Sequence, residues 1–370
     1  MDKRWKSCKK ILCVRLDNMG DLLMTSPALM ALSATLDCHL TVLCSSMAAG
    51  IAADIPGIDE VIVFNAPWMK LEATADWAAY QQLVELLAGK QFDAAIIFTV
   101  FSQNPLPAAM LAMHAGIPLR LAYCRENPYQ LLTDWLPDKE PIEYIRHQVE
   151  RDLYLVQSIG MDTGDTHLQV HVHEELWAHL SSRLAGMGVD LQRPWIVVHP
   201  SVSDKKRRYD KEKWMVVCRE LRKRTGCQLL ITGGDEEEAF CAELAKLTGG
   251  ISLGGALSLR ELVLLIARSP LLLSVNTGAV HIAAATQTPV VVLYALTNPQ
   301  HTPWKVMHEV LVFDVPEHMQ SHNQLLVYAA ARSQAVSYKF ATPANVINTV
   351  CRLWQQLPVA GEYGHRAQQQ

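Results

Sequence analysis

The sequence predicts an α/β protein made of two doubly wound halves that face each other across a cleft. Short apolar runs alternate with longer segments of helical spacing, the pattern of parallel strands joined by crossover helices. The alternation starts twice, at Ile11 and again at Trp195. With 370 residues the chain exceeds one ordinary core.

The stretch 11–31 organises the first half. Residues 11–16 read as a short apolar strand broken only by Arg15. Asp17-Asn18-Met19-Gly20 is turn chemistry, with Gly20 free to take a positive φ. From Asp21 onward Leu22, Leu23, Ser26, Leu29 and Met30 recur at helical spacing. Asp21 therefore sits where a buried strand gives way to a helix, the edge at which open α/β sheets bind ligands. A carboxylate there reads as a helix N-cap, the commoner role. It also reads as a general base aimed into the cleft.

The remaining elements follow in order. Residues 39–44 and 60–64 are strands, the second preceded by the turn Ile55-Pro56-Gly57. Residues 76–89 form an amphipathic helix ending at glycine. Residues 93–99 are near-continuously apolar, as in a strand buried on both faces. A helix over 105–115 is closed by Gly116, and 119–123 is a strand. Residues 124–141 carry three prolines and read as a long, functional loop. A helix over 144–160 ends the half, and candidate boundaries lie at 162–166 and near Arg193-Pro194.

The second half repeats the pattern. Strands are expected at 195–199, 227–232, 271–275 and 290–293. Helices are expected at 211–225, 236–247, 259–268, 277–286 and 343–357. Residues 361–370 read as a frayed tail.

Net charge is −4, which excludes the global basic field of a nucleic-acid binder. Half the residues are apolar and 19% are charged, which excludes a disordered chain. Lys3, Arg4, Lys6, Lys9 and Lys10 form a basic start, read first as solvated and second as a contact for an anionic membrane surface. Nine scattered cysteines without a C-x-x-C pair argue for a reducing cytoplasm and against a disulfide framework or zinc site. No signal peptide and no run near the ~18 apolar residues of a membrane helix is read. The expectation is a cytoplasmic protein, soluble or peripheral at the inner membrane.

Phosphate chemistry collects in the second half. Asn276-Thr277-Gly278 opens a helix directly after a strand, and such an end binds phosphate through its free N–H groups and dipole. His281 falls one turn further in, either as a core histidine or as a site residue. His199-Pro200-Ser201 ends another strand before the run 202–209 with Lys205, Lys206, Arg207 and Arg208. That run is either a solvated charge patch or a clamp for a leaving diphosphate. Gly233-Gly234-Asp235 ends a third strand, and Asp235 is either a cap or an acceptor for ribose hydroxyls. There is no G-x-G-x-x-G, no P-loop motif and no D-x-D pair. Basic residues and helix N–H groups would therefore carry the phosphate charge, with no metal.

In order along the chain, several motifs resemble glycosyltransferase family 9, the heptosyltransferase-like enzymes. They are Arg15-Leu16-Asp17-Asn18-Met19-Gly20-Asp21 with Thr25-Ser26-Pro27-Ala28-Leu29; Ala115-Gly116-Ile117-Pro118 with Arg120 and Tyr123; His147 with Ile159-Gly160; His199-Pro200 with Arg207-Arg208-Tyr209 and Trp214; and Thr277-Gly278, His281, Ala283-Ala284-Ala285 and Thr288-Pro289-Val290. The resemblance implies the GT-B architecture of two Rossmann-like domains. It implies inverting, metal-independent transfer of a sugar, typically heptose from ADP-heptose, to an acceptor hydroxyl, without a cofactor. By similarity Asp21 is the general base, and Asn18, Met19 and Gly20 lie on the acceptor side. Ser201, Lys206, Arg207, Asp235, Asn276, Thr277, Gly278 and His281 match donor-binding positions. Asn276 stands where the family usually has an acid, and Ser201 where it often has glycine.

The expected organisation is an acceptor domain over 1–165 and a nucleotide-sugar domain over 166–345. The helix at 343–358 is expected to pack back on the first domain. Expected partners are a nucleotide sugar and a glycan, lipid-linked or small-molecule acceptor, with no nucleic acid. Two other readings remain: a non-catalytic nucleotide-sugar-binding protein and a sugar-nucleotide epimerase of the same architecture.

Overall fold

Residues 10–15 form strand β1 (Lys10–Arg15), buried from Ile11 onward. Its central position explains the apolar run: it pairs on both edges, Cys13 lying opposite Val42 on one side and Ile96 on the other. The computed structural model describes residues 3–69, 76–202, 208–295, 298–316, 328 and 339–357. These divide into two compact units. The first holds the described residues up to His171 together with Pro299–His301 and Tyr328; the second begins at Val172.

In the first unit β1 is joined by β2 (His39–Cys44), β3 (Glu60–Val63), β4 (Ala94–Ile97), β5 (Leu119–Cys124) and β6 (Asp134–Pro137). All pairings are parallel, in the order β3-β2-β1-β4-β5-β6. The strand order reverses between β1 and β4, which is where such sheets open a crevice at their carboxyl ends. The helices are α1 (Lys3–Lys6), α2 (Met19–Thr35), α3 (Ser46–Ala52), α4 (Trp77–Lys90), α5 (Leu106–His114) and α6 (Gln148–Gln157).

Helix α2 contains Pro27, which has no N–H for the carbonyl four residues back. That carbonyl, Leu23 O, instead accepts from Ser26 Oγ at 2.7 Å. The same hydroxyl accepts from the Gln169 N–H at 2.9 Å, so one side chain repairs the helix and anchors the following segment.

Several expectations shift here. Gly20 lies inside the first turn of α2, buried, and not in a positive-φ turn. The helix near 76–89 runs to Lys90, and Gln91, not glycine, takes the left-handed conformation with φ 55°. The expected loop over 124–141 contains β6, whose half-exposed edge pattern and Pro137 concealed it from sequence reading. Helix α6 starts at Gln148 because His147 caps it, its ring nitrogen accepting from the Val149 N–H at 3.2 Å.

The second unit carries β7 (Trp195–His199), β8 (Gln228–Gly233), β9 (Ile251–Gly254), β10 (Leu272–Val275), β11 (Val290–Ala295), β12 (His308–Phe313) and β13 (Lys339–Phe340). They are again parallel, in the order β13-β12-β11-β10-β7-β8-β9. Counted from β7, this is the same winding as the first sheet with one strand added. The helices are α7 (Trp177–Gly186), α8 (Lys211–Thr225), α9 (Glu238–Thr248), α10 (Leu259–Ala267), α11 (Gly278–Ala285) and α12 (Pro343–Gln356).

Helix α12 belongs to the second unit. Its stripe Val346, Ile347, Val350 and Leu353 joins the core formed by Trp214, Val217 and Leu221 of α8. Two matching apolar faces within one unit decide that placement. Residues 361–370, Lys206 and Arg207 lie outside the described residues.

Candidate active site

In the first unit the site grows from the junction of β1 and α2. Asn18 is the N-cap in extended conformation, φ −83° and ψ 168°. Its backbone N–H donates to Asp21 Oδ2 at 3.3 Å. Asp21 is thus the N3 member of a capping box and not the cap itself.

Beneath Asp21 lies Arg15, 1% exposed. Its Nε is 3.1 Å from Asp17 Oδ2, its Nη2 3.7 Å from Asp21 Oδ1, and its Nη1 3.7 Å from Asp152 Oδ2. One guanidinium serves three carboxylates. Asp152, on α6, accepts from Thr25 Oγ1 and Gln148 Nε2, both at 2.8 Å. Asp17 accepts from Gln103 Nε2, and its carbonyl accepts from Ser45 Oγ at 2.6 Å.

The charges are unequal. Burial works against the Arg15 cation, yet Asp152, Asp17 and Asp21 outweigh it and raise its pKa. Burial pushes Asp17 up to about 7, opposed by Arg15 and helped by repulsion from Asp21 and Asp152. Burial likewise raises Asp152, against Arg15 and the Thr25 hydrogen bond. The side chain of Asp21 keeps 10% of its surface exposed, against 4% for Asp17 and 2% for Asp152. Asp21 is the carboxylate of the three most open to an incoming hydroxyl.

A second buried cluster adjoins the first. Arg151, next to Asp152 on α6, grips Asp138 in bidentate fashion at 2.8 and 2.9 Å and reaches Glu140 at 3.1 Å. Its Nε donates to the Thr99 carbonyl at 3.2 Å, just past β4. Its guanidinium lies 4.2 Å from the Tyr123 ring centroid. Glu140 also accepts from Gln300 Nε2 at 2.7 Å, and the adjacent His301 places Nε2 3.9 Å from Asp21 Oδ1.

A polar cavity of about 110 Å³ opens nearby, its walls including Gln103, Tyr123, Arg125 and Asp138. Gln103 is shared with Asp17, so the cavity wall and the carboxylate cluster are continuous. The stretch read as a functional loop contributes Arg125 and Asp138 to it. Of the acceptor-side residues, Asn18 is exposed, Met19 half-buried and Gly20 buried.

In the second unit the predicted residues sit at the carboxyl ends of β7, β8 and β10. Ser274 Oγ, on β10, lies 3.1 Å from the His199 carbonyl and 3.5 Å from Thr277 Oγ1, tying the end of β7 to the cap of α11. Thr277 is the N-cap of α11, and Gly278 opens the helix. The first-turn N–H groups of such a helix have no intrahelical acceptor and suit a phosphate. Ser201, 5% exposed, donates to the Thr232 carbonyl at 3.4 Å. His199 Nδ1 meets Thr232 Oγ1 at 2.9 Å, and burial lowers the His199 pKa to about 4, so the ring is neutral near pH 7. Asp235 is exposed in a single turn directly after β8. Asn276 is half-buried just before Thr277. His281 is 4% exposed, buried in α11.

Sequence reasoning named Asp21 but missed Arg15, Asp17, Asp152, Gln300 and His301 as parts of its surroundings. Arg15 did leave a signal, a lone charge in an apolar strand. Gln148, Arg151 and Asp152 left another, polar residues on the buried side of α6.

Comparisons with known proteins point to one family. The description glycosyltransferase family 9 (heptosyltransferase) matches residues 80–326. Lipopolysaccharide heptosyltransferase 3 of Escherichia coli strain K12 is 28% identical over 174 residues, 45% of this chain and 48% of that protein. A family 9 glycosyl transferase from Veillonella parvula superposes with a TM-score of 0.73 at 19% identity, covering 94% of this chain and 97% of its own. The ADP-heptose lipopolysaccharide heptosyltransferase II of Escherichia coli gives 0.68 at 22% identity, covering 94% and 99%. With the two Rossmann-like sheets, the family match over residues 80–326 makes this protein a glycosyltransferase belonging to family 9.

Proposed function

We propose that the protein moves a heptose from ADP-heptose to a hydroxyl of a lipopolysaccharide-type acceptor, with inversion at the anomeric carbon. The observation that carries the catalytic assignment is the accessibility of Asp21 among the three carboxylates on Arg15. Asp21 takes the acceptor proton as the oxygen attacks the anomeric carbon, and the nucleoside diphosphate departs. Arg15 and the Asn18 N–H orient the carboxylate. Asp17 and Asp152 hold Arg15 in place.

On the donor side, Thr277, Gly278 and the first turn of α11 receive the diphosphate. Lys206 and Arg207 add positive charge, Asp235 meets the ribose, and Ser201, Asn276 and His281 line the remainder. Charge on the leaving group is met by these protein donors without a metal, so activity survives EDTA. Heptose and lipopolysaccharide are supported by the names of the relatives above. A cytoplasmic setting fits nine cysteines that are all free. Among the described residues no helix is long and apolar enough to cross a membrane.

The deciding experiment is Asp21→Asn, assayed with ADP-heptose and heptose-deficient lipopolysaccharide, with the product anomer read by NMR. Loss of the proton acceptor lowers turnover roughly 10²–10⁴-fold. Donor affinity stays unchanged. A variant with wild-type turnover overturns the assignment.

A further inference from the structure

We propose that His301 is a positioning residue for the Asp21 carboxylate, delivered by the turn Pro299–His301. The inference rests on the reading of Asp21 as the base. It goes beyond that reading by assigning work to a residue 280 positions away that no motif marks.

The turn is anchored in the charge network. Gln300 is 1% exposed, and its Nε2 donates to Glu140 at 2.7 Å. Glu140 is held in turn by Arg151 at 3.1 Å and by the Arg146 N–H at 2.8 Å. The anchored Gln300 places the backbone of the adjacent His301 beside Asp21. Its Nε2 faces Asp21 Oδ1 at 3.9 Å. That is the oxygen that Arg15 Nη2 approaches at 3.7 Å, while Oδ2 takes the Asn18 N–H. Oδ1 is therefore flanked by a guanidinium below and an imidazole beside it.

The spacing is longer than a hydrogen bond, so the contact is electrostatic in this state. Among the described residues, the charged groups near Asp21 include Arg15 from β1, His301 from the turn and, across Arg15, Asp17 just after β1 and Asp152 on α6. Arg15 is already divided among three carboxylates. A protonated imidazole beside Asp21 adds to the attraction of Arg15, holds the carboxylate in one rotamer and favours its anionic form. The His301 side chain is 21% exposed, while its Nε2 atom is buried on the Asp21 side.

Two measurements on the full-length protein test this. The first needs no substrate: the imidazole of His301 is titrated by NMR in wild type and in Asp21→Asn. A neighbouring carboxylate raises the pH at which His301 loses its proton, so the titration moves down in Asp21→Asn. Identical titrations overturn the proposal.

The second is the pH profile of turnover with ADP-heptose and heptose-deficient lipopolysaccharide for wild type, His301→Ala and His301→Gln. His301→Ala lowers kcat by roughly 10- to 100-fold, the scale of a misplaced catalytic group, and leaves the donor KM unchanged. It also moves the acidic limb of kcat/KM to higher pH. His301→Gln keeps an N–H donor and recovers part of kcat. If Asp21→Asn is inactive while His301→Ala matches wild type in rate and profile, this inference falls and the base assignment stands. If Asp21→Asn is fully active, the base assignment itself falls.

Discussion

Thr25 Oγ1 donates a 2.8 Å hydrogen bond to Asp152 Oδ2, joining α2 to α6 across 127 residues of sequence. The same oxygen lies 3.7 Å from Arg15 Nη1. The floor under Asp21 is therefore a buried charged network and not a hydrophobic packing surface. Such networks are costly to leave half-made.

Asp152→Ala removes a counter-charge of Arg15 and the carboxylate that accepts from both Thr25 Oγ1 and Gln148 Nε2. Breaking a buried pair from one side costs about 3–5 kcal/mol. Asp152→Asn keeps a hydrogen-bonding group and should cost about 1–3 kcal/mol. Urea unfolding of the two variants checks the order. Equal losses would show that the volume of residue 152, not its hydrogen bonds and charge, supports the fold.

Asp17 gives stability an unusual pH dependence. Its pKa is about 7 in the fold, against about 3.9 in an unfolded chain. Between about pH 4 and 7 the native state holds a proton that the unfolded state has lost. The contribution of this group to stability is thus fully present below that window, declines as pH rises through it, and levels off above it. Asp152 and Glu140, also raised by burial, act with the same sign. Asp17→Asn should flatten the dependence, measured as the urea midpoint across the window. An unchanged slope would mean that Asp17 ionises normally.

Gly233 ends β8 where there is no room for a side chain. A Cβ there would collide with the Ser201 hydroxyl and lie 2.8 Å from Cys241 Sγ. Gly233→Ala should cost about 1–3 kcal/mol, as overpacking does. It should also weaken ADP binding by displacing Ser201. Calorimetry with ADP and a thermal melt separate the two effects, and adding Ser201→Gly should restore part of the stability. Full wild-type behaviour in Gly233→Ala would mean that Ser201 turns aside freely and does not line the donor site.

Arg207 is the expected diphosphate clamp within the run 205–208. Arg207→Ala should weaken ADP binding by about 1.5–3 kcal/mol, the worth of a hydrogen bond to a charged group. It should also lower turnover at saturating donor, because the diphosphate gains charge as the sugar leaves. Lys205→Ala should do little. Equal small losses at all four positions would make the run a diffuse patch.

The alternation of strands and helices and the place of Asp21 were legible in the sequence by itself. So was the cluster of phosphate-suited residues at three strand ends of the second half. Burial on both faces writes a continuous apolar run, and a strand-to-helix junction writes a turn followed by a capping carboxylate. Edge strands such as β6 and β13 escaped, because half-exposed residues carry no such run. Which unit receives α12 was also hidden, since an apolar stripe says that it must be covered but not by what.

Beyond the local Asn18 N–H, the surroundings of Asp21 were decided by the tertiary structure. Arg15, Asp152 and His301 lie on a strand, a distant helix and a turn far along the chain. Their meeting depends on sheet order and on the docking of the 299–301 turn. Local sequence encodes propensity and periodicity. A buried charge network is encoded only in the sum of long-range contacts that exclude water around it.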